Sequence, residues 1–545
     1  YCFNSKTYHK YSEIIIRELA NHYKNEESIV AWQIDNEFGH EGSDLCYCDL
    51  CKKEFNEYLK EKYDNDINKL NETWGTIFWS QTYNTFEEIP LPKPTITTHN
   101  PSLRMEHERF RSESIEKYAK FQVDLLKEIL GKDSVIIHDF SGGYFDKSYD
   151  FSKVGKHMDV VAYNNYPVWG GQKEPIPAWE IACGLDYMRG IKGQNFWITE
   201  AIMGAQGHDV IGYLPRPRQA KMWSYQGIAH GCSSLMYFRY RGATKGAEQY
   251  CYGIIDQDNV KRRKFYEVQS FFKEMKENEA LTQSEVKSDV AVVYDYESMA
   301  SFRIQRQSFL MDYKQEVYRL YRPFYKKNIN MDVIPSDSDF DKYKVLLLPV
   351  MIVHKKEVQD KVRKFVSGGG TVVFTYRTAV KDYYNNLTLG QFNPTYYTDL
   401  VGGYVEEVES FQDDQVAFLI GNEEFEGING TATVFRDMLK TTTAKTLFKY
   451  EDEFFEDLAA VTLNEYEGGK VYYIGSGADN TIMDAITNKI INESNLDVIE
   501  SEEGVEVVRR SLNNEDYYFV MNHTSDEKKF RNEILKAYEA KIVKA

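Results

Sequence analysis

Residues 28–51, SIVAWQIDNEFGHEGSDLCYCDLC, constrain the fold more than any other stretch of this sequence. An apolar run, Ile29–Ile34, is short enough for a buried parallel strand and ends directly before Asp35-Asn36-Glu37. The polar triplet therefore falls at the carboxyl end of the predicted strand, where parallel barrels keep their catalytic groups. We expect a catalytic carboxylate in this loop.

Three cysteines follow in the same loop. Cys46, Cys48 and Cys51 are soft ligands at a spacing that is typical of a tetrahedral zinc site. The whole chain has 7 cysteines, too few for a disulfide scaffold. The cluster therefore indicates a metal in a reducing compartment, and we expect a cytoplasmic protein.

The charge balance narrows the choice of partners. The chain has 66 basic and 84 acidic residues, a formal charge of -18, which argues against an electrostatic grip on nucleic acid or anionic lipid. No apolar run approaches the roughly 18 residues that a membrane span needs. A neutral small-molecule substrate fits this composition best.

Up to about residue 285, helical stretches alternate with short apolar runs that end in polar residues, which indicates repeated βα units. A helix over Tyr11–Tyr23 precedes the first run. A closed (β/α)8 TIM barrel has eight strands, whereas this sequence predicts five. We therefore expect the sequence to begin inside a barrel whose first three strands are missing. The predicted strands are Ile29–Ile34, Val135–His138, Val160–Tyr163, Phe196–Thr199 and Leu235–Phe238.

The remainder of the chain predicts two further domains. Strand and helix patterns from Val290 through the glycine turn at Gly368 to Val471–Gly477 favour a doubly wound α/β domain. Alternating segments near the C-terminus suit a small antiparallel β domain, which looks incomplete. The predicted domains are 1–288, 289–488 and 489–545.

Two glutamates have matching positions in the predicted barrel. Glu200 directly follows the predicted strand Phe196–Thr199, just as Glu37 follows the first predicted strand. A lone glutamate is usually an ion-pair member, but two carboxylates facing each other across a barrel mouth are what glycoside hydrolysis requires. We expect their carboxyl groups to lie about 5 Å apart, the separation of a retaining enzyme.

Several motifs carry a resemblance to a known family. They are WQIDNEFG, the cysteine cluster, WGTIFWSQTYNTFEEIPLP, NPSLRMEHERF and GAEQ, and together they resemble the β-galactosidases of glycoside hydrolase family 42. The resemblance implies that Glu37 is the acid/base, Glu200 the nucleophile, Asn36 a contact to the sugar beside the scissile bond and Glu248 a carboxylate that binds sugar hydroxyls. It also implies a homotrimer, formed through an amidotransferase-like trimerisation domain.

The family's zinc site takes one cysteine from well upstream, and Cys2 stands where that fourth ligand is expected. Four thiolates close a tetrahedral site and leave no position for water. The implied zinc is therefore structural, and its ligands are Cys2, Cys46, Cys48 and Cys51. A buried thiol remains the alternative for Cys2 alone.

Two positions depart from the family pattern. Many relatives have Trp eight residues after the nucleophile and His shortly after GAEQ, where this sequence has His208 and Cys251. Both positions normally contact the sugar, so His208 and Cys251 are expected at the substrate. The departures leave open a related substrate such as an α-L-arabinopyranoside, and a catalytically silent carbohydrate-binding scaffold is the further alternative.

Overall fold

The computed structural model describes residues 2–142 and 145–545 and begins with a five-stranded, all-parallel sheet in the order β1-β2-β3-β4-β5. The parallel part-barrel expected from the sequence is confirmed. Within the described residues, β1 and β5 form the two edges of this sheet. The strands are β1 (Trp32–Gln33), β2 (Ile136–Phe140), β3 (Val160–Asn165), β4 (Phe196–Ala201) and β5 (Cys232–Tyr237).

Along the chain, helices precede, connect and follow these strands. The longest, α4, begins where the side chain of Asn100 accepts hydrogen bonds from the backbone N–H groups of Ser102 and Leu103, with Pro101 at the first helical position. The helices are α1 (Lys6–Tyr23), α2 (Asp49–Lys62), α3 (Ile67–Trp74), α4 (Pro101–Leu130), α5 (Phe151–Gly155), α6 (Ala178–Lys192), α7 (Gln219–Ala229), α8 (Arg263–Glu277) and α9 (Glu279–Thr282).

Several predicted bounds were wrong: β2, β3 and β4 end two residues later than predicted, and β5 begins three residues earlier. The first strand and the first helix also differ. β1 covers only Trp32–Gln33 of the predicted Ile29–Ile34, because β1 pairs on one side alone and Val30 is 77% exposed. The first helix begins at Lys6 rather than Tyr11, since the Ser5 side chain caps it by accepting a hydrogen bond from the backbone N–H of Tyr8.

The second sheet has eleven strands and is mixed. Its parallel half, β15-β9-β8-β6-β7, is the predicted α/β sheet, whereas the antiparallel half built from β10 to β14 was not predicted. The strands are β6 (Val290–Tyr294), β7 (Met331–Pro335), β8 (Val345–Leu348), β9 (Thr371–Thr375), β10 (Gly403–Ser410), β11 (Ala417–Gly421), β12 (Asn429–Thr441), β13 (Lys445–Tyr450), β14 (Ala459–Tyr466), β15 (Gly469–Ile474) and β16 (Ser476–Ala478).

Five helices accompany this sheet, and the last of them runs across the predicted boundary at residue 488. They are α10 (Tyr296–Ile304), α11 (Tyr313–Tyr325), α12 (Lys356–Ser367), α13 (Thr398–Val401) and α14 (Asn480–Glu493). Buried charges join α10 to α4: Arg109 Nε lies 2.7 Å from Glu297 Oε1, and Arg303 Nη2 lies 2.5 Å from Glu108 Oε2. These ion pairs fix the second sheet domain against the barrel region.

The C-terminal residues form the predicted small antiparallel sheet, β17-β18-β21, beside a two-stranded ribbon. Its strands are β17 (Val505–Leu512), β18 (Glu515–Asn522), β19 (Lys528–Phe530), β20 (Glu533–Leu535) and β21 (Ala540–Lys544). Among the described residues, none of the helices has the length and apolar character needed to cross a membrane.

Candidate active site

Glu37 lies in the loop that follows β1, held by backbone contacts to β2. Its N–H donates to Asp139 Oδ1 at 3.2 Å, and the next N–H, of Phe38, donates to His138 Nε2 at 3.3 Å. Asp35 and Glu37 have φ angles of 52° and 43°, a left-handed conformation that costs an L residue about 1–2 kcal/mol. Contacts from β2 therefore stabilise a strained turn that presents Glu37.

Glu200 lies near the carboxyl end of β4, as the sequence predicted. The hydroxyl of Tyr166, just after β3, donates a hydrogen bond to Glu200 Oε2. Burial raises the pKa of Glu200, the Tyr166 hydrogen bond opposes this, and the nearby carboxylates of Glu37 and Glu248 raise it further. The electrostatic coupling places Glu37, Glu200 and Glu248 around one site.

Asn164, on β3, connects the two predicted catalytic residues. It pairs with Glu200 in the register between β3 and β4, and its side-chain amide donates to Glu37 Oε1 at 2.9 Å. The same amide donates to Asp139 Oδ2 at 3.1 Å, and the Thr199 hydroxyl donates to Asn164 Oδ1 at 2.9 Å. The amide group is thus fixed in orientation, with its donors aimed at carboxylates.

Asp139 is a fourth carboxyl group of this site, after Glu37, Glu200 and Glu248, and sequence reasoning missed it. It is 1% exposed, and burial raises its pKa to about 7, with the charges of Glu37 and Glu200 adding to the rise. Its only sequence signal was its position directly after the predicted strand Val135–His138, the same signal that identified Glu37. Asn164 and Tyr166 follow the run Val160–Tyr163 in the same way.

Glu248 lies beyond β5 in an aromatic and basic setting. Arg239 Nη2 donates to Glu248 Oε2, and His208 Nε2 lies 3.9 Å from Glu248 Oε1. The His208 ring packs edge-on against Trp169 with ring centroids 5.5 Å apart, and Trp169 packs in turn against Tyr166 at 4.9 Å. His208 is thereby linked through aromatic contacts to the residue that binds Glu200.

Two other predicted contacts differ in exposure. Asn36 is exposed, and its backbone N–H donates to Asp35 Oδ1 at 3.1 Å. Cys251 is 0% exposed, and its thiol donates to the Gly207 carbonyl at 3.8 Å. The Cys251 side chain therefore offers a sugar no accessible surface in this structure.

The four predicted metal ligands converge. The Sγ atoms of Cys2, Cys46, Cys48 and Cys51 all lie within 4.8 Å of one another, with Cys2 and Cys51 3.3 Å apart and Cys2 and Cys48 3.7 Å apart. A tetrahedron with metal–sulfur bonds of about 2.3 Å has sulfurs about 3.8 Å apart. These spacings fit a cation of zinc size.

The surroundings of the thiols also favour a cation. Cys48 is the N-cap of α2, where the helix dipole stabilises a thiolate, and Cys51 lies in the first turn, where burial raises the pKa of its thiol. The backbone hydrogen bond from Cys51 lowers the pKa of Cys48 to about 7, whereas burial raises the pKa of Cys2 to about 11. A bound divalent metal would stabilise the thiolate form of all four grouped sulfurs.

Three family models match consecutive parts of the chain. Residues 1–278 match the family model described as beta-galactosidase of glycoside hydrolase family 42, residues 288–497 its trimerisation domain and residues 504–544 its C-terminal domain.

Similar proteins are beta-galactosidases from several bacteria. The chain is 30% identical to BgaA of Clostridium cellulovorans, with 97% of this chain and 79% of the relative covered, and 32% identical to LacZ of Heyndrickxia coagulans, with 96% and 77% covered. A crystal structure of beta-galactosidase from Bacillus circulans sp. alkalophilus superimposes with a TM-score of 0.91 at 29% identity, covering 100% of this chain and 82% of that one.

Proposed function

The chain belongs to the beta-galactosidases of glycoside hydrolase family 42, and we propose that Glu37 and Glu200 carry out its chemistry. It is a retaining glycosidase that releases terminal β-D-galactosyl residues. The observation that supports the residue roles best is that Asn164, whose amide donates to Glu37 Oε1, is also the residue paired with Glu200 between β3 and β4, so both carboxylates lie at the carboxyl edge of one parallel sheet.

In the first step, Glu200 attacks the anomeric carbon while Glu37 gives its proton to the departing glycosidic oxygen. The bond from carbon to the leaving oxygen breaks as the ester to Glu200 forms. In the second step, Glu37 takes a proton from water, the water oxygen attacks the anomeric carbon, and Glu200 leaves as a carboxylate. Two inversions at one carbon give overall retention.

The neighbours of each carboxylate suit these roles. The Tyr166 hydroxyl stabilises the charge of Glu200 before attack and again when the ester is cleaved. The amide of Asn164 donates to only one oxygen of Glu37, Oε1, so the other oxygen can hold the transferred proton.

For the sugar, we propose that Asn36 and Glu248 bind hydroxyl groups and that His208 lies at the rim of the same site. Arg239 holds Glu248 in place by an ion pair. For Cys251, full burial favours a supporting role over direct contact with the sugar.

We also propose that Cys2, Cys46, Cys48 and Cys51 hold a structural zinc. When bound, zinc would link the residues before α1 to the Glu37 loop without taking part in hydrolysis, since four thiolates leave no site for water. A thiolate site suits a reducing compartment, and a cytoplasmic location is proposed on that ground. Cell fractionation tests the location.

For the assembly, we propose a homotrimer formed through the second domain, on the strength of its match to a trimerisation domain. The domains expected from the sequence are 1–288, 289–488 and 489–545, and we propose them with one change. The boundary at residue 488 moves beyond the end of α14, because this continuous helix spans residue 488.

Azide rescue tests the catalytic roles. Glu200→Ala should lower kcat by on the order of 10³-fold or more, and azide should then restore turnover of an activated β-galactoside as the α-galactosyl azide. Glu37→Ala with azide should give the β-galactosyl azide instead, because the nucleophile is intact. Glu72→Gln, an exposed residue of α3, is the matched control. Substantial activity in Glu200→Ala without azide would refute the nucleophile assignment.

A further inference from the structure

Asp139 makes two independent contacts that converge on Glu37. One of its oxygens accepts the backbone N–H of Glu37 at 3.2 Å, and the other accepts the Asn164 amide at 3.1 Å. That amide also donates to Glu37 Oε1 at 2.9 Å. Asp139 therefore fixes both the backbone of Glu37 and the donor that orients its carboxyl group.

We propose that Asp139 is a positioning residue of this glycosidase, acting on the hydrolytic reaction through Glu37 and Asn164. The inference deepens the proposed function and rests on the assignment of Glu37 as the acid/base. Backbone geometry makes such a residue necessary, because the turn that carries Glu37 has two left-handed, non-glycine residues and would relax without contacts from β2.

The charge of Asp139 adds a second effect. Burial raises its pKa to about 7, so it ionises over the neutral range. The groups that act on it are Glu37 from the loop after β1, Glu200 from β4, and His138 and Tyr149 from β2 and the loop after it. His138 is neutral, since burial lowers its pKa to about 4, and burial keeps the Tyr149 phenol neutral as well.

An ionised Asp139 accepts the Glu37 N–H and the Asn164 amide as charge-assisted hydrogen bonds, which are stronger than bonds to a neutral acceptor.

Leaving-group dependence separates this role from a structural one. Departure of 2,4-dinitrophenolate needs no acid, whereas departure of phenolate does. For Asp139→Asn, we expect kcat/KM on phenyl β-galactoside to fall about 10- to 100-fold while kcat/KM on the dinitrophenyl galactoside stays within about threefold. Asp150→Asn is the matched control: it changes a half-buried carboxyl after β2 whose hydrogen bonds cap α5 rather than reach Glu37.

The decisive quantity is the ratio of the two kcat/KM values. A change in this ratio of more than about fivefold in Asp139→Asn supports the proposal, and a smaller change overturns it. Should Asp139→Asn not fold, Asp139→Ser, which lacks the second oxygen that accepts the Asn164 amide, carries the same test. If Glu37→Gln itself shows no leaving-group dependence, the assignment of Glu37 fails; if Glu37→Gln shows it and Asp139→Asn does not, only the inference about Asp139 fails.

Discussion

A buried cluster of ionisable side chains, between the barrel region and the C-terminal sheet, makes the stability of this enzyme depend on pH. His230, at the end of α7, donates to Asp186 Oδ1 at 2.6 Å and to Glu506 Oε1 at 2.8 Å. Glu506, on β17, also accepts from His523 at 2.7 Å and from Gln226 at 2.9 Å. The cluster thus joins the barrel region to the C-terminal sheet.

The two sides of this cluster shift in opposite directions. Burial disfavours charged His230, but Asp186 and Glu506 outweigh burial and raise its pKa from 6.5 to about 9. Burial likewise disfavours charged Glu506, but His230 and His523 outweigh it and lower its pKa from 4.5 to about 2. Stabilisation by His230 is complete below pH 6.5 and is lost as pH rises through 9. Stabilisation by Glu506 is complete above pH 4.5 and is lost as pH falls through 2.

The raised pKa of His230 corresponds to about 3 kcal/mol of unfolding free energy, and Glu506 supplies one of the two carboxylates responsible. We expect Glu506→Gln to destabilise the enzyme by about 2 kcal/mol at pH 6. With an unfolding entropy of about 2.1 cal/mol/K per residue over 545 residues, that lowers Tm by about 2 °C. At pH 10, where His230 is neutral in both proteins, the difference in Tm should shrink to under about 1 °C.

Scanning calorimetry of both proteins at pH 6 and pH 10 measures these differences. Glu503→Gln, an exposed position two residues before β17, serves as the control and should leave Tm unchanged at both pH values. An equal drop in Tm for Glu506→Gln at pH 6 and pH 10 would show that the loss of stability comes from side-chain packing rather than from charge. That result would refute the reasoning.

Other consequences concern the metal and the assembly. The purified protein should contain one zinc per chain by elemental analysis. The Cys51→Ser variant should lose its zinc, and its Tm should fall more markedly than its kcat per folded molecule. The Cys183→Ala variant, changed at a buried cysteine outside the cluster, should keep its zinc. A zinc-free protein with unchanged Tm would contradict the site. Sedimentation should give three times the mass of the single chain, and a monomer that stays fully active would contradict the trimer.

The sequence predicted those features that depend on local pattern. An apolar run before a polar residue identified Glu37 and Glu200, and cysteine spacing gave Cys46, Cys48 and Cys51. Cys2 came from resemblance alone, because nothing near it in the sequence indicates that its sulfur would lie 3.3 Å from that of Cys51.

Features that depend on pairing between distant strands were not predicted. Asp139, Asn164 and Tyr166 all follow predicted strands, but which of them faces Glu37 is decided by the register of β2, β3 and β4. Antiparallel strands β10 to β14 were missed for the same reason, since their hydrogen bonds are long-range and their sequences lack a repeated βα pattern.

Covalent trapping tests the central claim most directly. A 2-fluoro galactoside with an activated leaving group slows both steps of double displacement, so the ester to the nucleophile accumulates. After proteolysis, mass spectrometry should find one fluorogalactosyl unit on the peptide that contains Glu200. A label on Glu37 or Glu248, or continued turnover with no covalent label, would contradict the account.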